Sequence, residues 1–220
     1  MNKSKPFRLK VSGDNACFTR PEMKVERVSY DVMTPSAARG ILEAILWKPA
    51  IKWNILQIDV LTPIKWESVR RNEVGKKAGK PTAAHLSGES DKPLGMFIEK
   101  ERQQRAGLFL RDVSYVIHAD FKMTKKAGDD DNVTKFEQMF IRRAKKGACF
   151  HRPYFGCREF PVDFEFIPRG EGNLSTIGKT QDFGWMLYDM DYSGTEPMPQ
   201  FFHAEMNDGI INLRNVEVRS

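Results

Sequence analysis

The chain has 220 residues, of which 40% are hydrophobic, so it can form the core of one domain with an addition or of two small domains. Its three cysteines form no CxxC pair, which argues against a disulfide framework and favours a reducing cytoplasm. The formal net charge is +6 and no stretch approaches the roughly 20 apolar residues of a membrane span, so we expect a polyanionic partner and no membrane partner.

The positive charge is unevenly distributed along the chain. Residues 1–179 carry a net charge of +11, whereas residues 180–220 carry −5. A basic body with an acidic C-terminal section predicts that the body contacts a polyanion and that the section after it does not. Chance variation of the surface charge is the alternative.

The N-terminal part predicts a strand, a helix and a second strand. Apolar and basic or polar residues alternate from Phe7 to Ser12, as in a half-buried strand. Thr34 can cap a helix that begins at Pro35, and an apolar stripe with helical spacing then continues until Pro49 ends it. The run from Trp53 to Leu61 predicts the second strand.

The following region, residues 67–105, predicts a long mobile insertion because it is highly charged and shows little periodicity. We interpret it either as a segment that contacts nucleic acid or as a loop that is merely exposed to solvent. Period-two alternation resumes in a strand from Val113 to Phe121, and it places His118 on the wetter face of that strand.

A second helix follows, with Asp130 or Asp131 as the expected N-cap and Gly147 as the residue just after its end. Another strand is expected from Phe160 to Phe166. The order strand, helix, strand, insertion, strand, helix, strand is that of the α+β ferredoxin-like βαββαβ domain, which RNA-recognition modules also use.

Glycine-rich turns and short apolar runs predict a small antiparallel β-sheet at the C-terminus. We therefore expect a ferredoxin-like domain over residues 1–168, with the insertion at 67–105, and a β appendage over residues 169–220.

A basic loop, residues 142–160, joins the second helix to the strand after it. It contains six Lys or Arg residues before its first acid, Glu159, together with the aromatic residues Phe150, Tyr154 and Phe155. Basic side chains neutralise phosphates and aromatic faces stack on bases, so this composition favours single-stranded RNA or DNA as the ligand.

Three segments give the chain a family resemblance. They are SAARGILEAILWKP at residues 36–49, VSYVIHADF at 113–121 and KGACFHRPYFGCREFP at 146–161. In this order, over nearly the whole chain, they resemble the CRISPR-associated Cas5 family of the type I-C, or Dvulg, subtype.

The resemblance implies a ferredoxin-like domain with a small C-terminal sheet. It also implies an endoribonuclease that cleaves the repeat of precursor CRISPR RNA, retains the 5′ handle and joins other subunits of a type I-C Cascade-like surveillance complex. Double-stranded DNA is a further candidate partner, and no cofactor or metal is expected. In this family a general base removes the proton of a ribose 2′-hydroxyl, which attacks the neighbouring phosphate and leaves a 2′,3′-cyclic phosphate.

The resemblance also implies a catalytic Tyr on the first helix and an adjacent Lys and His near the third strand. The matching positions hold Leu46 instead of Tyr and Ile117 instead of Lys, so His118 is the remaining catalytic candidate. Asp120 is a candidate for orienting its ring, and Lys122 or Lys10 for replacing the missing Lys. The alternative for His118 is an ordinary strand histidine that faces solvent.

His151 is the second catalytic candidate, and stacking or a phosphate contact without proton transfer is its alternative role. Together with Cys149 and Cys157 it would supply only three ligands at irregular spacing, so we expect no zinc site. For Tyr154, base stacking and packing under the loop are both open.

Further basic residues form a pool of candidate RNA contacts. For Arg39, RNA contact and a buried ion pair compete as interpretations. The expected RNA-binding residues are Arg20, Arg27, Arg39, Lys48, Lys145, Lys146, Arg152, Tyr154 and Arg158.

Two other functions stay open at this point. One is a scaffold that binds the CRISPR RNA handle without cleaving it, which the absent Tyr and Lys would allow. The other is a metal-dependent DNA nuclease, which lacks support because the sequence shows no carboxylates clustered at metal-ligand spacing.

Overall fold

The structure is a computed structural model that describes residues 2–23, 25–92, 94–172 and 174–220. Four helices lie within these residues: α1 (Pro35–Ile45), α2 (Ala83–Leu86), α3 (Ile98–Glu101) and α4 (Val133–Lys145). The strands are β1 (Phe7–Ala16), β2 (Ile51–Val60), β3 (Trp66–Val74), β4 (Arg102–Met123), β5 (Asp163–Ile167), β6 (Gln181–Asp191), β7 (Met198–Asn207), β8 (Ile210–Asn212) and β9 (Val218–Arg219). The predicted mixture of helices and a β-sheet is therefore confirmed.

One large antiparallel sheet organises the molecule. Its strands run in the order β5-β1-β4-β2-β8-β7-β6, with β3 paired to β4 and β9 paired to β7. Helix α4 packs on one face of the sheet, where Phe140 contacts Phe7 and Trp53, and Phe136 contacts Phe121. These aromatic contacts build the core between the helices and the sheet, because edge-to-face ring pairs bury large apolar areas.

Helix α1 begins as the sequence predicts. The Thr34 side chain accepts a hydrogen bond from the amide of Ala37, and Pro35 occupies the first turn. Its apolar stripe, which includes Ile41, Leu42 and Ile45, is buried.

The expected N-cap of α4 is wrong by one or two positions. Asn132 accepts the hydrogen bond from the amide of Lys135 at 2.9 Å, whereas Asp131 binds the amide of Gly128 and the ammonium of Lys135. Asp131 therefore closes the preceding turn, and Asn132 satisfies one of the free amides in the first turn of the helix.

The region at 67–105 is not an irregular loop. Strand β3 pairs with the first half of β4 from Trp66 and Leu110 to Val74 and Arg102, which makes a long hairpin with α2 and α3 near its tip. No residue of β3 is buried, and its half-buried positions include Arg71 and Glu73, so the sequence lacks the apolar alternation that predicts a strand.

The C-terminal strands lie where short strands are expected, but they do not form a separate sheet. Strand β8 pairs with β2 through Ile211 and Ile58, so β6 to β9 continue the main sheet. In the described ranges, no helix combines the length and the apolar character that a membrane crossing requires.

Candidate active site and nucleic-acid interface

His118 lies in the middle of β4 on the face of the sheet that α4 does not cover. Phe121 packs against α4, and side chains of a strand alternate between faces, so His118 points to the opposite side. Its cross-strand neighbours are Arg8 on β1 and Gln57 on β2. The predicted position of His118 on the wetter face agrees with a side chain that stays 19% exposed.

Asp59 is the direct partner of His118. Its Oδ2 lies 2.7 Å from Nε2 of the imidazole, and its Oδ1 accepts a hydrogen bond of 2.7 Å from the Gln57 amide. A carboxylate only accepts hydrogen bonds, so Nε2 carries the proton and Nδ1 is the nitrogen that can receive one. The three side chains thus form a chain of contacts that fixes the ring, its tautomer and its basic atom.

A β-bulge in β2 brings Asp59 to this face. Trp53 and Ile55 pair with Phe121 and Ala119, but Gln57 pairs with His118 after a register shift between Ile55 and Gln57. The extra residue reverses the alternation, so Gln57 and Asp59 lie opposite the face of Trp53. Sequence reasoning missed both residues, although two adjacent apolar residues, Ile55 and Leu56, mark the break in alternation.

Asp120 does not orient the imidazole as we expected. It is buried, pairs with the Lys3 ammonium at 2.8 Å and accepts a hydrogen bond of 3.3 Å from Asn54. These contacts lie farther along β4, and they compensate the charge of a carboxylate that water does not reach.

Lys10 lies closer to His118 along the sheet than Lys122 does. Lys10 pairs with Val116 on the same face, diagonally opposite His118, and a long side chain spans a diagonal of about 7 to 8 Å. Lys122 is four residues along β4, or about 13 Å away. Arg8 stands directly opposite His118, but its guanidinium binds the carbonyl oxygens of Pro168 and Gly172.

The two positions that differ from the family pattern, 46 and 117, carry no reactive side chain. Leu46 and Ile117 are both buried in the apolar core. Their side chains pack on the helix side of the sheet, so neither of them reaches a ligand bound beside His118.

His151 lies on the other side of the molecule from His118. The amide of the neighbouring Phe150 donates to the carbonyl of Ala44 in α1, which holds this part of the basic loop on the helix side. The His151 ring is exposed, is stacked on Tyr154 with centroids 6.2 Å apart and contacts the Arg152 carbonyl through Nδ1 at 3.2 Å. The two predicted catalytic histidines are therefore not brought together.

The three aromatic residues of the basic loop have different environments. Phe155 is fully buried, and it packs edge-on against Phe18 and Tyr115. Phe150 is 86% exposed, and Tyr154 is half-buried beside His151. Phe155 is therefore an anchor of the loop, while Phe150 and Tyr154 are accessible for stacking.

Several of the predicted RNA-binding cations are held in ion pairs. Arg20 binds Asp31 and lies 4.5 Å above the Tyr30 ring, so its charge is compensated. The pairs among these cations are Arg20–Asp31, Arg27–Glu73, Arg27–Glu159, Arg39–Glu43, Arg39–Asp189 and Arg152–Asp163. For Arg39 this arrangement favours the structural ion pair over a phosphate contact.

Cys157 adds to the neutralisation of Arg27. Its Sγ lies 3.8 Å from Nη1 of Arg27 and 3.9 Å from the Cys17 carbonyl oxygen. Hydrogen bonds from the Cys17 thiol and from Arg27 lower the pKa of the Cys157 thiol to about 6, although burial acts in the opposite direction. Two carboxylates and the Cys157 sulfur therefore surround Arg27, so its guanidinium is already engaged within the protein.

The remaining predicted cations are open to solvent. Within the part of the chain that the structure describes, they make no ion pair with a carboxylate, and Lys145 lies 6.0 Å from the Phe166 ring centre. These residues are Lys48, Lys145, Lys146 and Arg158. Their contact with RNA stays a prediction.

Comparisons with known proteins identify the family of the chain. The family model Cas_Cas5d, described as CRISPR-associated protein (Cas_Cas5), matches residues 7–214. A CRISPR pre-crRNA endoribonuclease Cas5d of Mannheimia succiniciproducens is 53% identical over 94% of both chains. The protein of the same name from Thermus thermophilus is 40% identical over 94% of this chain and 90% of its own.

A solved structure supports the fold. The crystal structure of a CRISPR-associated protein superposes with a TM-score of 0.71 at 22% identity, and the match covers 100% of this chain and 99% of the other. At this identity the likeness concerns the path of the chain and the arrangement of its strands.

Proposed function

The chain belongs to the CRISPR-associated Cas5d family, and from this membership we propose that it is an endoribonuclease that cleaves the repeats of precursor CRISPR RNA. The relatives that carry this name match nearly the whole chain, including the strand with His118 and the basic loop.

The contact between His118 and Asp59 is the observation that best supports a chemical mechanism. With Nε2 bound to Asp59 at 2.7 Å, Nδ1 of His118 accepts the proton of a ribose 2′-hydroxyl. The resulting oxygen attacks the adjacent phosphorus in line, and the bond from phosphorus to the 5′-oxygen breaks. The 5′-oxygen takes a proton from water and leaves as a hydroxyl, and a 2′,3′-cyclic phosphate remains. We assign Lys10 to the negative charge that develops on the phosphate oxygens.

This reaction needs no metal ion, since the base and the cation are both side chains. The test is to incubate the protein with its repeat RNA in EDTA and to analyse the ends of the products. We expect a cyclic phosphate and a 5′-hydroxyl. Cleavage that requires an added divalent ion would overturn the metal-independent mechanism and support a metal-dependent nuclease.

Replacement of His118 tests the assigned base. His118→Ala should lower the cleavage rate by about 10² to 10⁴, the range for loss of general acid–base catalysis, while RNA affinity changes little. His151→Ala is the matched control, because His151 lies on the opposite side of the sheet. A larger loss for His151→Ala than for His118→Ala would move the site to the basic loop.

The second candidate function is a scaffold that binds the CRISPR RNA handle without cleaving it. The burial of Leu46 and Ile117 favours it, because the family's Tyr and Lys have no chemical replacement at those positions. The same EDTA experiment decides, if binding is measured in parallel. Tight binding of repeat RNA with no product would establish the scaffold.

We also propose that the protein retains the 5′ handle after cleavage and works in the cytoplasm within a type I-C Cascade-like surveillance complex. The basic loop carries the exposed cations Lys145, Lys146 and Arg158, which can bind phosphates of the RNA backbone, and this supports the proposal. Contact with double-stranded DNA would occur in that assembled complex, and the isolated chain should prefer RNA.

A ferredoxin-like unit is part of the proposal. The elements β1, α1, β2, β4, α4 and β5 occur in the βαββαβ order, and their strands lie in the spatial order β5-β1-β4-β2. We assign this unit to residues 1–168, with the β3–β4 hairpin as its insertion, and the appended strands to residues 169–220.

A further inference from the structure

A groove separates the end of α1 from the loop between β6 and β7. Its volume is about 670 Å³. It is bounded by the segment 47–52, by residues 124–126 after β4 and by residues 189–193 at the end of β6. A second cavity shares Arg39, Lys52 and Asp189 with it, so the two spaces adjoin.

Two aromatic side chains line the groove and face solvent. Trp47 is 61% exposed and Tyr192 is 70% exposed. An exposed aromatic ring leaves apolar surface in contact with water, which is unfavourable. Such rings are frequent at binding surfaces, where a ligand covers them. Indole and phenol faces also provide the stacking surfaces that unpaired bases use.

The cations of the groove outnumber its unpaired acids. Lys48, Lys52, Lys125 and Lys126 all lie along it and are exposed. Its carboxylates are engaged: Glu43 and Asp189 bind Arg39, and Asp191 accepts a hydrogen bond from the amide of Ser193. The surplus of lysines therefore suits a ligand with several negative charges.

The floor of the groove is held in place by hydrogen bonds. The Thr124 hydroxyl donates to the carbonyl of Pro49 at 2.6 Å, and its amide donates to the carbonyl of Ala50 at 2.9 Å. The Trp53 indole donates to the carbonyl of Leu46, immediately before Trp47. The backbone that carries Trp47 and Lys48 is thus fixed, so a base that stacks there meets a preformed surface.

We propose that this groove binds unpaired nucleotides of the RNA substrate, with one base stacked on Trp47, a second on Tyr192, and the phosphates on the four lysines. The inference rests on the proposed function and adds to it a binding surface outside both the His118 face and the basic loop. Single-stranded RNA fits because it combines stacking faces with a regular series of phosphates, and because RNA is the substrate of the proposed function.

The test measures the affinity of the full chain for its repeat RNA, with Trp47→Ala, Tyr192→Ala and Trp47→Phe as variants. Each alanine variant should bind about tenfold more weakly, and Trp47→Phe should recover most of the affinity because it keeps a stacking face. Trp185→Ala is the matched control, since Trp185 is an exposed tryptophan that lines another cavity with Phe201 and Arg219.

A second arm uses repeat RNA in which unpaired nucleotides are replaced one at a time by abasic nucleotides. At the position that stacks on Trp47, the abasic RNA should bind wild type about tenfold more weakly and should bind Trp47→Ala with no further loss. Melting temperatures of all variants check that the fold is unchanged.

The outcomes separate this inference from the proposed function. If wild type cleaves repeat RNA and the alanine variants bind and cleave it as wild type does, the groove is not an RNA site and the proposed function stands. If these variants bind and cleave RNA normally but fail to assemble with partner subunits, the groove binds a protein and not RNA. If wild type neither binds nor cleaves repeat RNA, both proposals fail.

Discussion

Asp59 determines which nitrogen of the His118 ring is available to a substrate. The carboxylate holds Nε2–H at 2.7 Å and Gln57 holds the carboxylate, so the ring cannot rotate without breaking its contact with a fixed partner. Asp59 itself is 15% exposed and its carboxylate contacts the imidazole, so under the proposed mechanism it would act through His118 as a positioning residue. This arrangement gives a histidine on an open sheet face a defined orientation.

Replacing Asp59 by Asn tests that role. The amide keeps the shape but offers a donor as well as an acceptor, so the ring loses its fixed tautomer. We expect the cleavage rate to fall between about 10-fold and 100-fold, the usual cost of removing an orienting partner, with RNA affinity nearly unchanged. Nitrogen NMR of the His118 ring should show Nε2–H as the main neutral tautomer in wild type and a mixture in the variant.

Asp112→Asn is the control for this substitution. Asp112 lies on β4, the strand that carries His118, and its replacement removes the same charge, but Asp112 pairs with Lys65 at an exposed position. If both variants cleave equally well, Asp59 does not position the base, and His118 would be an ordinary histidine on the sheet surface.

The elements show what local sequence can specify. The cap of α1 was predictable because Thr34 and Pro35 stand directly before a long apolar stripe. The cap of α4 was not, since three acids and Asn132 compete within one turn and only the backbone geometry selects among them. Hairpin β3–β4 escaped prediction because its two strands are far apart in the sequence and β3 has no buried residue that would produce a clear apolar alternation.

The candidate site was predictable only in part, because local sequence does not specify how distant strands pair. His118 follows from the alternation of β4, which is local. Its contact with Asp59 spans two strands and depends on the bulge at Ile55 and Gln57, which pairing between strands determines. The groove with Trp47 and Tyr192 joins the end of α1 to the end of β6, so no single stretch of sequence contains it.

The correction at α4 leads to a stability prediction. Asn132→Ala removes the side chain that accepts from the Lys135 amide and should lower the free energy of unfolding by about 1 kcal/mol. Asp130→Ala, at an exposed neighbouring position, should leave it within about 0.5 kcal/mol of wild type. Chemical denaturation measures both free energies of unfolding. An equal or larger decrease for Asp130→Ala would mean that an acidic residue, and not Asn132, caps the helix.

Across the whole molecule, the appended C-terminal strands are tied to the body in two ways. Strand β8 extends the main sheet beside β2, and Arg39 on α1 bridges to Asp189 on β6 at 2.7 Å. The acidic section from Thr180 to Ser220 is therefore fixed next to a basic body. Outside the groove beside Tyr192, where lysines of the body outnumber the unpaired acids, we expect its carboxylates to disfavour a polyanion. We therefore expect RNA to lie along the basic loop and the lysines of the groove, and not over the rest of the C-terminal strands.

Salt dependence of RNA binding tests this division of charge. Each phosphate contact with single-stranded RNA contributes about 0.7 to the slope of log affinity against log salt. Replacing Lys145 and Lys146 by Gln should therefore reduce the slope by about 1.4, because both ammonium groups are exposed at the start of the basic loop. Replacing Arg214 and Arg219 by Gln changes the net charge equally but lies in the acidic section, so the slope should stay as in wild type. If both double variants reduce the slope equally, RNA affinity depends on the total charge alone and the basic loop makes no specific phosphate contacts.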